Sequence, residues 1–388
     1  MRPDDTPWRH GANGTRCIQW SDPRPHWLRM NELERELHYP LGDTLPVAGG
    51  ALEIAPGVRW IRMALPFALD HINLWLLRDE MEGPNGPLQG WTVVDCCVSR
   101  DESKALWEQI FVDALDGLPI LRVIVTHMHP DHVGLAHWLC ARWSTPDRPC
   151  RLWMSATDYY LARIGSAGSN GFGGEGAAQF FAAHGLRDPE SMDKVRERAL
   201  YYPSLVPAVP TQFVRLMDGD LVRIGAQQWR CISGHGHAPE HIALYNEAQG
   251  LLIGGDMMLP RISSNISVFE SEPESNPLKQ FLQSIDKFQC LPTATLTLPS
   301  HGKPFTGLHK RIRQLHDHHR ERLAEVMAAC AERPQCAADI LPVMFKRKLD
   351  LHQTTFAMGE AIAHLHALWF EGKVRRTRDE DGVYRFRG

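Results

Sequence analysis

The sequence has 388 residues and a net charge of −4, with 43% hydrophobic and 23% charged residues. This composition is typical of globular proteins, and the small negative charge excludes a general electrostatic attraction to nucleic acids or anionic membranes. The N-terminal residues lack an apolar core, and no apolar run is long enough to span a bilayer. We therefore expect neither a signal peptide nor a membrane-spanning segment.

The nine cysteines are scattered and form no C-x-x-C pair. Cys96 and Cys97 are adjacent, which is poor geometry for a mutual disulfide. This usage predicts reduced thiols and a cytoplasmic location.

Residues 1–45 are polar, yet they contain three tryptophans, Trp8, Trp20 and Trp27. Disordered tails rarely carry so many indoles. We predict an extended N-terminal arm that the tryptophans anchor on the body of the protein.

The next part of the chain alternates strands and a helix. Short apolar or alternating runs predict strands, and apolar residues three or four positions apart predict helices. On this basis the sequence predicts strands at 58–63, 72–77, 91–95, 121–125 and 151–155, and a helix at 103–115.

The segment from Thr126 to His132 follows a buried strand and contains three histidines and an aspartate. Pro130 disfavours helix at the preceding residue, so His127 and His129 lie on a strand-end loop and can point the same way. Neutral imidazole is the commonest metal ligand among side chains, and aspartate supplies a hard anionic oxygen. The segment predicts a metal site; the alternative is a polar loop with coincidental histidines.

Residues 156–209 interrupt the strand pattern with helical stretches around a glycine-rich loop at 165–176. The loop is not a phosphate loop, because no Gly-Lys-Ser/Thr follows it. We predict an insertion that acts as a mobile lid. Tyr159, Tyr160 and Phe172 are the aromatic residues expected to reach a substrate; the alternative is that they pack the insertion's own small core.

Strands resume after the insertion, and polar residues again follow them. The sequence predicts strands at 213–216, 221–224, 229–232, 242–245, 251–253 and 294–298. His237, Asp256 and His301 lie just past such strands, as Asp95 and His127 do earlier in the chain. Ligands at neighbouring strand ends would assemble one site on one edge of a sheet sandwich.

Beyond residue 303 the apolar spacing predicts helices, followed by a small hairpin at 373–386. This order is that of a winged-helix-like appendage. Arg375, Arg376 and Arg378 on the hairpin suggest nucleic-acid contact, but a solvated charged hairpin is the commoner explanation and the one we favour.

Four ordered motifs resemble those of the metallo-β-lactamase superfamily, and Asp95 resembles its first-motif aspartate. The motifs are His127-x-His129-x-Asp131-His132, Gly236-His237-Ala238-Pro239-Glu240-His241, Gly255-Asp256 and Ser300-His301-Gly302. The resemblance covers roughly residues 50–305. It implies an α+β fold, an αββα sandwich with its site at one edge. The implied organisation is an arm (1–45), a glyoxalase II-like catalytic domain (46–305) and a helical, winged-helix-like domain (306–388).

The resemblance also implies the metal ligands. His237 is chosen over His235 because the family pattern is Gly-His-x-Pro-x-His followed by a strand. Asp95 and His241 would support the ligands without binding metal. One ion would take His127, His129 and His237, the second would take Asp131, His132 and His301, and Asp256 would bridge them.

Two positions depart from the family pattern. The usual Asp-Thr-Gly is here Asp95-Cys96-Cys97, and the usual glycine before the last histidine of the third motif is Glu240. Neither change removes a ligand, but both bear on the local turn and on the side chains that support the ligands.

The predicted cofactors are two divalent metal ions, with zinc expected and iron or manganese also compatible with the ligands. Such a pair activates a shared water as hydroxide, and Asp131 would hold this nucleophile and pass its proton to the leaving group. We expect a hydrolase of small thioesters, esters or lactones. The alternatives are a nuclease of the same superfamily, a mono-iron persulfide dioxygenase and a purely structural metal site.

The expected partner is a small-molecule substrate, without nucleic acid or membrane. A homo-oligomer is compatible with the sequence.

Overall fold

The computed structural model describes residues 32–83, 86–168, 173–346, 349 and 351–388. Its centre is a pair of sheets. The first sheet has seven strands in chain order: β1 (Leu52–Ala55), β2 (Val58–Ala64), β3 (His71–Gly83), β4 (Gly86–Val94), β5 (Ile120–Ile124), β6 (Arg151–Met154) and β7 (Phe213–Arg215). Its first four strands pair antiparallel, whereas β4 to β7 pair parallel.

The second sheet has five strands in the order β12-β11-β10-β9-β8. Its strands are β8 (Leu221–Ile224), β9 (Gln227–Gly234), β10 (His241–Asn246), β11 (Leu251–Gly255) and β12 (Leu296–Pro299). Strand β12 runs parallel to β11, so the carboxyl ends of both strands lie at the same edge.

Helices cover the outer faces of both sheets and continue beyond the sandwich. They are α1 (Asp101–Asp113), α2 (Pro130–Val133), α3 (Ala136–Trp143), α4 (Ala156–Ser166), α5 (Gly174–Ala183), α6 (Pro189–Glu197), α7 (Tyr201–Leu205), α8 (Pro277–Asp286), α9 (Leu308–Glu332), α10 (Ala337–Met344) and α11 (Leu351–Phe370). Short 3-10 turns follow α6 (Arg198–Leu200) and α8 (Lys287–Cys290). A hairpin of β13 (Arg375–Arg378) and β14 (Tyr384–Arg387) ends the chain.

Three buried cores define the layers. Trp60, Trp75 and Trp229 are buried in the core between the two sheets. A second core joins the first sheet to helices α1 and α3, and a third joins the second sheet to α8, α9 and α11. The predicted αββα sandwich with a helical C-terminal part is therefore confirmed. Among the described helices, none combines the length and hydrophobicity that a membrane span requires.

The insertion between β6 and β7 belongs to two of these cores. Tyr202 and Leu205 of α7 pack with the helices on the first sheet. Phe181 and Val195, on α5 and α6, pack with the C-terminal helices. The insertion therefore spans from one side of the sandwich to the other.

The end of the predicted N-terminal arm lies along the segment that follows β12 and along helix α9. His38 exchanges backbone hydrogen bonds with Thr306, and the amide of Gln314 donates to the Leu33 carbonyl at 3.0 Å. The three tryptophans of the predicted arm lie outside the described residues.

A buried ion pair on the first sheet also forms hydrogen bonds with the second sheet. Arg122 on β5 and Asp79 on β3 are almost fully buried, and the Arg122 Nε donates to Asp79 Oδ2 at 2.9 Å. The hydroxyl of Thr92 and the backbone N–H of Gly225, which follows β8, also donate to this carboxylate, at 2.6 and 2.7 Å. Arg122 in turn donates to the Arg223 carbonyl of the second sheet at 2.8 Å.

Replacing only one member of this pair should destabilise the protein strongly. Arg122→Met leaves the Asp79 carboxylate buried without its countercharge, which costs about 3–5 kcal/mol. Urea unfolding measures the change. Lys104→Met, which removes a surface ion pair with Asp101, is the control and should leave the urea midpoint nearly unchanged. An Arg122→Met midpoint equal to that of the unmodified protein would contradict the role given to this pair.

Candidate metal centre

The predicted ligands meet at one edge of the sandwich, which we call the site edge. It is formed by loops after β4, β5, β9, β11 and β12. Pro130 is the first residue of α2, and His129 before it has extended backbone angles (φ −62°, ψ 147°). The proline thus ends the extended segment after His129, as the sequence indicated. His127 and His129 therefore lie on the loop that follows β5, whereas Asp131 and His132 lie on α2.

Three imidazoles form the first group of donors. The Nε2 of His127 lies 2.8 Å from Nδ1 of His129, and His237 Nε2 lies 3.1 Å from the same His129 atom. His237 Nε2 is also 3.3 Å from His127 Nε2. The carboxylate of Asp256 faces this group through Oδ2, which is 3.3 Å from His237 Nε2.

The second group lies on the other side of the Asp256 carboxylate. His132 Nε2 and His301 Nε2 are 3.5 and 3.4 Å from Asp256 Oδ1. The Oδ2 atom of Asp131 is 3.6 Å from His132 Nε2 and 3.4 Å from His301 Nε2. Asp256 therefore presents one oxygen to each group.

The second group contains buried atoms that lack hydrogen-bond partners. His132 Nε2, His301 Nε2 and Asp256 Oδ1 are buried, and no described residue satisfies them. Such atoms are costly unless a cation binds them. Two ligands at zinc bond lengths of 2.0–2.1 Å with tetrahedral angles lie about 3.4 Å apart, close to the spacings here. The donor set therefore fits a divalent transition metal.

The charges in the cluster favour a cation. Burial raises the pKa of Asp256, but the neighbouring His301 and His132 hold that pKa well below its usual value. Burial lowers the pKa of His132, but the surrounding carboxylates, led by Asp131, raise it to about 10. His127 and His129, in contrast, have lowered pKa values, first because of burial and then because of neighbouring histidines. The neutral imidazoles of His127 and His129 and the ionised carboxylate of Asp256 are ready to bind metal, whereas at His132 a metal ion would take the place of the proton that the raised pKa retains.

Hydrogen bonds to the far ring nitrogens fix three of the imidazoles. His132 Nδ1 lies 2.8 Å from Asp95 Oδ2, His237 Nδ1 lies 2.7 Å from the Asn265 carbonyl, and His301 Nδ1 lies 2.7 Å from the His71 carbonyl. Each ring must donate from Nδ1 to such an acceptor, which leaves the Nε2 lone pair for a metal. Asp95 thus lies where the sequence placed it, beside a candidate ligand and outside the donor groups.

His241 is fully buried next to the first donor group. Its ring centroid lies 5.1 Å from that of His127. A Cβ atom at Gly255, which has a φ of 53°, would lie only 2.1 Å from His241 Nε2. Only glycine fits here, so His241 packs between a candidate ligand and the backbone next to Asp256.

Asp158 is a residue of the site that sequence reasoning missed. It accepts hydrogen bonds from the backbone N–H groups of Met128, at 2.8 Å, and Glu240, at 2.6 Å. It therefore ties together the two loops that carry the first donor group. Burial raises the pKa of Asp158 to about 6. The signal was present as Ser155-x-x-Asp158 after a strand, a helix-capping pattern in which Ser155 accepts from the Asp158 N–H.

Two of the three aromatic residues predicted to bind substrate, Tyr159 and Tyr160, pack against Phe213. The Tyr159 hydroxyl donates to the Pro210 carbonyl at 2.9 Å, and its ring stacks on Phe213 at 3.8 Å. Tyr160 is exposed and contacts the same Phe213 ring edge-on. Phe172 lies outside the described residues. The contacts of the two tyrosines are those of α4 packing on β7, and their part in substrate binding stays a prediction.

The two departures from the family pattern have different structural consequences. Asp95 and Cys97 have φ values of 63° and 70°, a left-handed conformation that favours glycine. The cysteine at 97 therefore occupies a strained turn. Glu240 has no such angle, and its side chain accepts a hydrogen bond from Thr157 at 3.0 Å. A glycine is not required at that position.

The sequence matches the models of two protein families. The metallo-beta-lactamase superfamily model matches residues 87–326, and the model of the metallo-beta-lactamase-like C-terminal domain matches residues 323–388. An αββα sandwich with a His/Asp metal cluster on one edge is the class of protein that the fold and site define. The chain belongs to the metallo-beta-lactamase superfamily.

Two solved structures and one further relative extend the comparison. The chain is 54% identical to a beta-lactamase domain protein from Burkholderia ambifaria, covering 92% of this chain and 99% of that one, with a TM-score of 0.86. It is 26% identical to a metallo-beta-lactamase family protein from Thermus thermophilus, covering 86% and 99%, with a TM-score of 0.69. It is also 24% identical over 341 residues to the probable metallo-hydrolase YqjP of Bacillus subtilis (strain 168), covering 84% of this chain and 96% of that protein.

Removing the Asp95 carboxylate should weaken metal binding. Asp95→Ala frees the His132 ring and leaves the Thr126 N–H, which now donates to Asp95 at 2.8 Å, without its acceptor. Losing such a supporting carboxylate typically lowers metal affinity about 10- to 100-fold. Competition with a chelator measures this affinity, with the exposed Asp113→Ala as control. Equal affinities in the two variants would show that Asp95 does not orient a ligand.

Proposed function

We propose that the protein is a metal-dependent hydrolase of small thioesters, esters or lactones, of the glyoxalase II-like type. The observation that carries the proposal is the Asp256 carboxylate, which offers one oxygen to each of two donor groups. We assign His127, His129 and His237 to one ion, Asp131, His132 and His301 to the other, and Asp256 to both.

The chain's own residues supply positioning and proton transfer. When bound, two divalent ions would lower the pKa of a shared water and stabilise negative charge on the substrate oxygen. Asp131 is the more exposed of the two carboxylates in the cluster, with 16% of its side chain accessible. It can therefore hold the attacking water and carry its proton to the leaving group.

The ligand chemistry supports zinc as the resident metal. Mixed imidazole and carboxylate ligands suit zinc, although iron and manganese also accept them. A persulfide dioxygenase with a single iron would leave one of the two donor groups without a role.

The C-terminal hairpin supports a small-molecule substrate rather than a nucleic acid. The Nη2 of Arg376 donates to both carboxylate oxygens of Glu274 at 2.9 Å, and the guanidinium lies 3.7 Å from the Trp369 ring centroid. Arg385 pairs with both Asp339 and Asp379 at 2.9 Å. Arginines engaged in this way offer less charge to a phosphate backbone.

We also propose a division of the chain into two domains. We assign residues 46–305 to catalysis, with 156–209 as its lid, and 306–388 to a winged-helix-like domain. Helix α9 begins at Leu308, and the C-terminal order of three helices followed by a hairpin supports the second assignment.

Metal analysis combined with a substrate panel tests this function. Elemental analysis of protein loaded with zinc should give two ions per chain. A panel of thioesters, lactones, phosphodiesters and β-lactams should show its highest kcat/KM on thioesters or lactones. A single ion at saturation would exclude the dinuclear assignment, and selective phosphodiester cleavage would favour a nuclease.

Loss of the bridging carboxylate should abolish turnover without unfolding the protein. Asp256→Ala removes the ligand shared by both ions, so we expect kcat to fall by about 10³-fold or more. The fold should persist, because burial of apolar surface holds a core of this size. Circular dichroism and elemental analysis are measured in parallel. Near-normal kcat with both ions bound would refute the bridging role.

A further inference from the structure

The loop that begins at Asp256 supports the first donor group. We call residues 256–265 the Asp256 loop, which follows strand β11. The carbonyl of Asn265, its last residue, accepts a hydrogen bond from Nδ1 of His237 at 2.7 Å. The Ser264 hydroxyl donates to the Asp256 carbonyl, which links the end of the loop to its start. A shift of this loop would therefore move both the shared carboxylate and the acceptor that orients a candidate ligand.

The same loop contacts the backbone beside a ligand of the second group. Gly302, which follows His301, has a φ of 94°. A Cβ atom at this glycine would lie only 2.7 Å from the ring of Pro260, so the loop packs directly on the glycine. Only glycine combines this backbone angle with so close an approach. The position of the Asp256 loop therefore bears on both donor groups.

One side chain of helix α9 holds this loop. Arg311 is fully buried, and its Nε donates to the Leu259 carbonyl at 2.7 Å while its Nη2 donates to the Ile262 carbonyl at 2.8 Å. Its Nη1 donates to the Gln314 side chain, also on α9, at 3.2 Å. The planar guanidinium has its donors in a rigid fork. It therefore fixes two points of the loop relative to the helix.

The position of Arg311 is unfavourable for a cation unless the loop is in place. Arg311 lies in the first turn of α9, where the helix dipole disfavours positive charge. Burial lowers the pKa of Arg311 to about 10, and Tyr39 and Glu34 oppose this change. The guanidinium therefore stays charged at neutral pH. A buried charge is costly without hydrogen-bond partners, and the two loop carbonyls are among the few acceptors it has.

We infer that Arg311 is a positioning residue of the metal centre, through which helix α9 fixes the Asp256 loop beside both donor groups. This inference rests on the metal ligands assigned under the proposed function and is independent of the substrate. The hydrogen bonds of Arg311 go to the loop backbone and to Gln314, so the residue acts through the loop and does not bind metal.

Metal affinity tests this role in the zinc-loaded protein. Competition with a chelator should show that Arg311→Met binds both ions about 10-fold or more weakly, as is typical when a group that orients ligands is lost. Arg311→Lys keeps the charge but lacks the fork that spans two carbonyls, so its affinity should be intermediate. Arg313→Met, at an exposed position of α9, is the surface control.

Two results would contradict the role of Arg311. Equal zinc affinities in Arg311→Met and Arg313→Met would overturn the inference. If Arg311→Met does not fold, Arg311→Lys takes its place in this comparison, and an affinity equal to that of Arg313→Met would again overturn the inference.

The variant Arg122→Met separates positioning from general stability. Arg122 is also a buried arginine, but it donates to Asp79 and to the carbonyl of Arg223. Arg223 pairs with Gln228 at the start of β9, whereas the end of β9 leads to the site edge. Arg122→Met should therefore lower the urea midpoint without weakening zinc binding by the folded protein. A loss of zinc affinity as large as that in Arg311→Met would overturn the positioning role.

Hydrogen exchange of the metal-free protein tests the hold on the loop directly. The amides of the Asp256 loop should exchange about 10-fold or more faster in Arg311→Met than in Arg313→Met, because two hydrogen bonds to a charged group are lost. The amides of helix α1, on the other side of the sandwich, should exchange at the same rate in both variants. Equal exchange of the loop in the two variants would overturn the inference.

The substrate panel distinguishes this inference from the proposed function. Zinc affinity that falls in Arg311→Met, in a protein that hydrolyses no substrate of the panel, would refute the hydrolase function and support the positioning role. Hydrolysis of thioesters or lactones with zinc affinity and loop exchange that are indifferent to Arg311 would refute the positioning role and leave the function standing.

Discussion

The Asp256 carboxylate, placed between two groups of imidazole nitrogens, is the constraint on which the site depends. Its oxygens face the groups at 3.3 to 3.5 Å, and its own Oδ1 and the Nε2 atoms of His132 and His301 are buried without a hydrogen-bond partner among the described residues. Converging lone pairs of this kind are unfavourable in a low-dielectric interior unless cations are present. The rest of the molecule must therefore hold these side chains together against that cost.

The sandwich does so with hydrogen bonds that cross between its sheets. The Ile242 N–H donates to the Thr126 carbonyl at 2.8 Å, and the Asn73 N–H donates to the Ser300 carbonyl at 2.7 Å. In each bond one end lies next to a candidate ligand, His127 or His301, and the other end lies on the opposite sheet. Asp158 adds a third connection between the loops after β5 and β9. The site edge is thus rigid because its loops are bonded to one another as well as to their strands.

The insertion between β6 and β7 connects the two outer layers of the fold. Its helices pack with both outer cores, so the insertion contacts both sides of the sandwich. Hydrogen bonds from Tyr202 to the Met128 carbonyl and from the Ser99 N–H to the Leu205 carbonyl hold helix α7 against two loops of the site edge.

The sequence by itself determined the architecture and the strand-end positions of the candidate donor residues. Strand-end positions of His127, Asp256 and His301 follow from short-range patterns, because apolar runs and a proline act locally on the backbone. It missed Asp158 and directed attention to Tyr159 and Tyr160, whose contacts are with Phe213 and Pro210. Only the tertiary structure decided which part of the insertion returns to the donor groups. That choice depends on packing between residues far apart in the chain, Tyr202 with Met128 and Arg198 with Phe356, and no local pattern encodes such contacts.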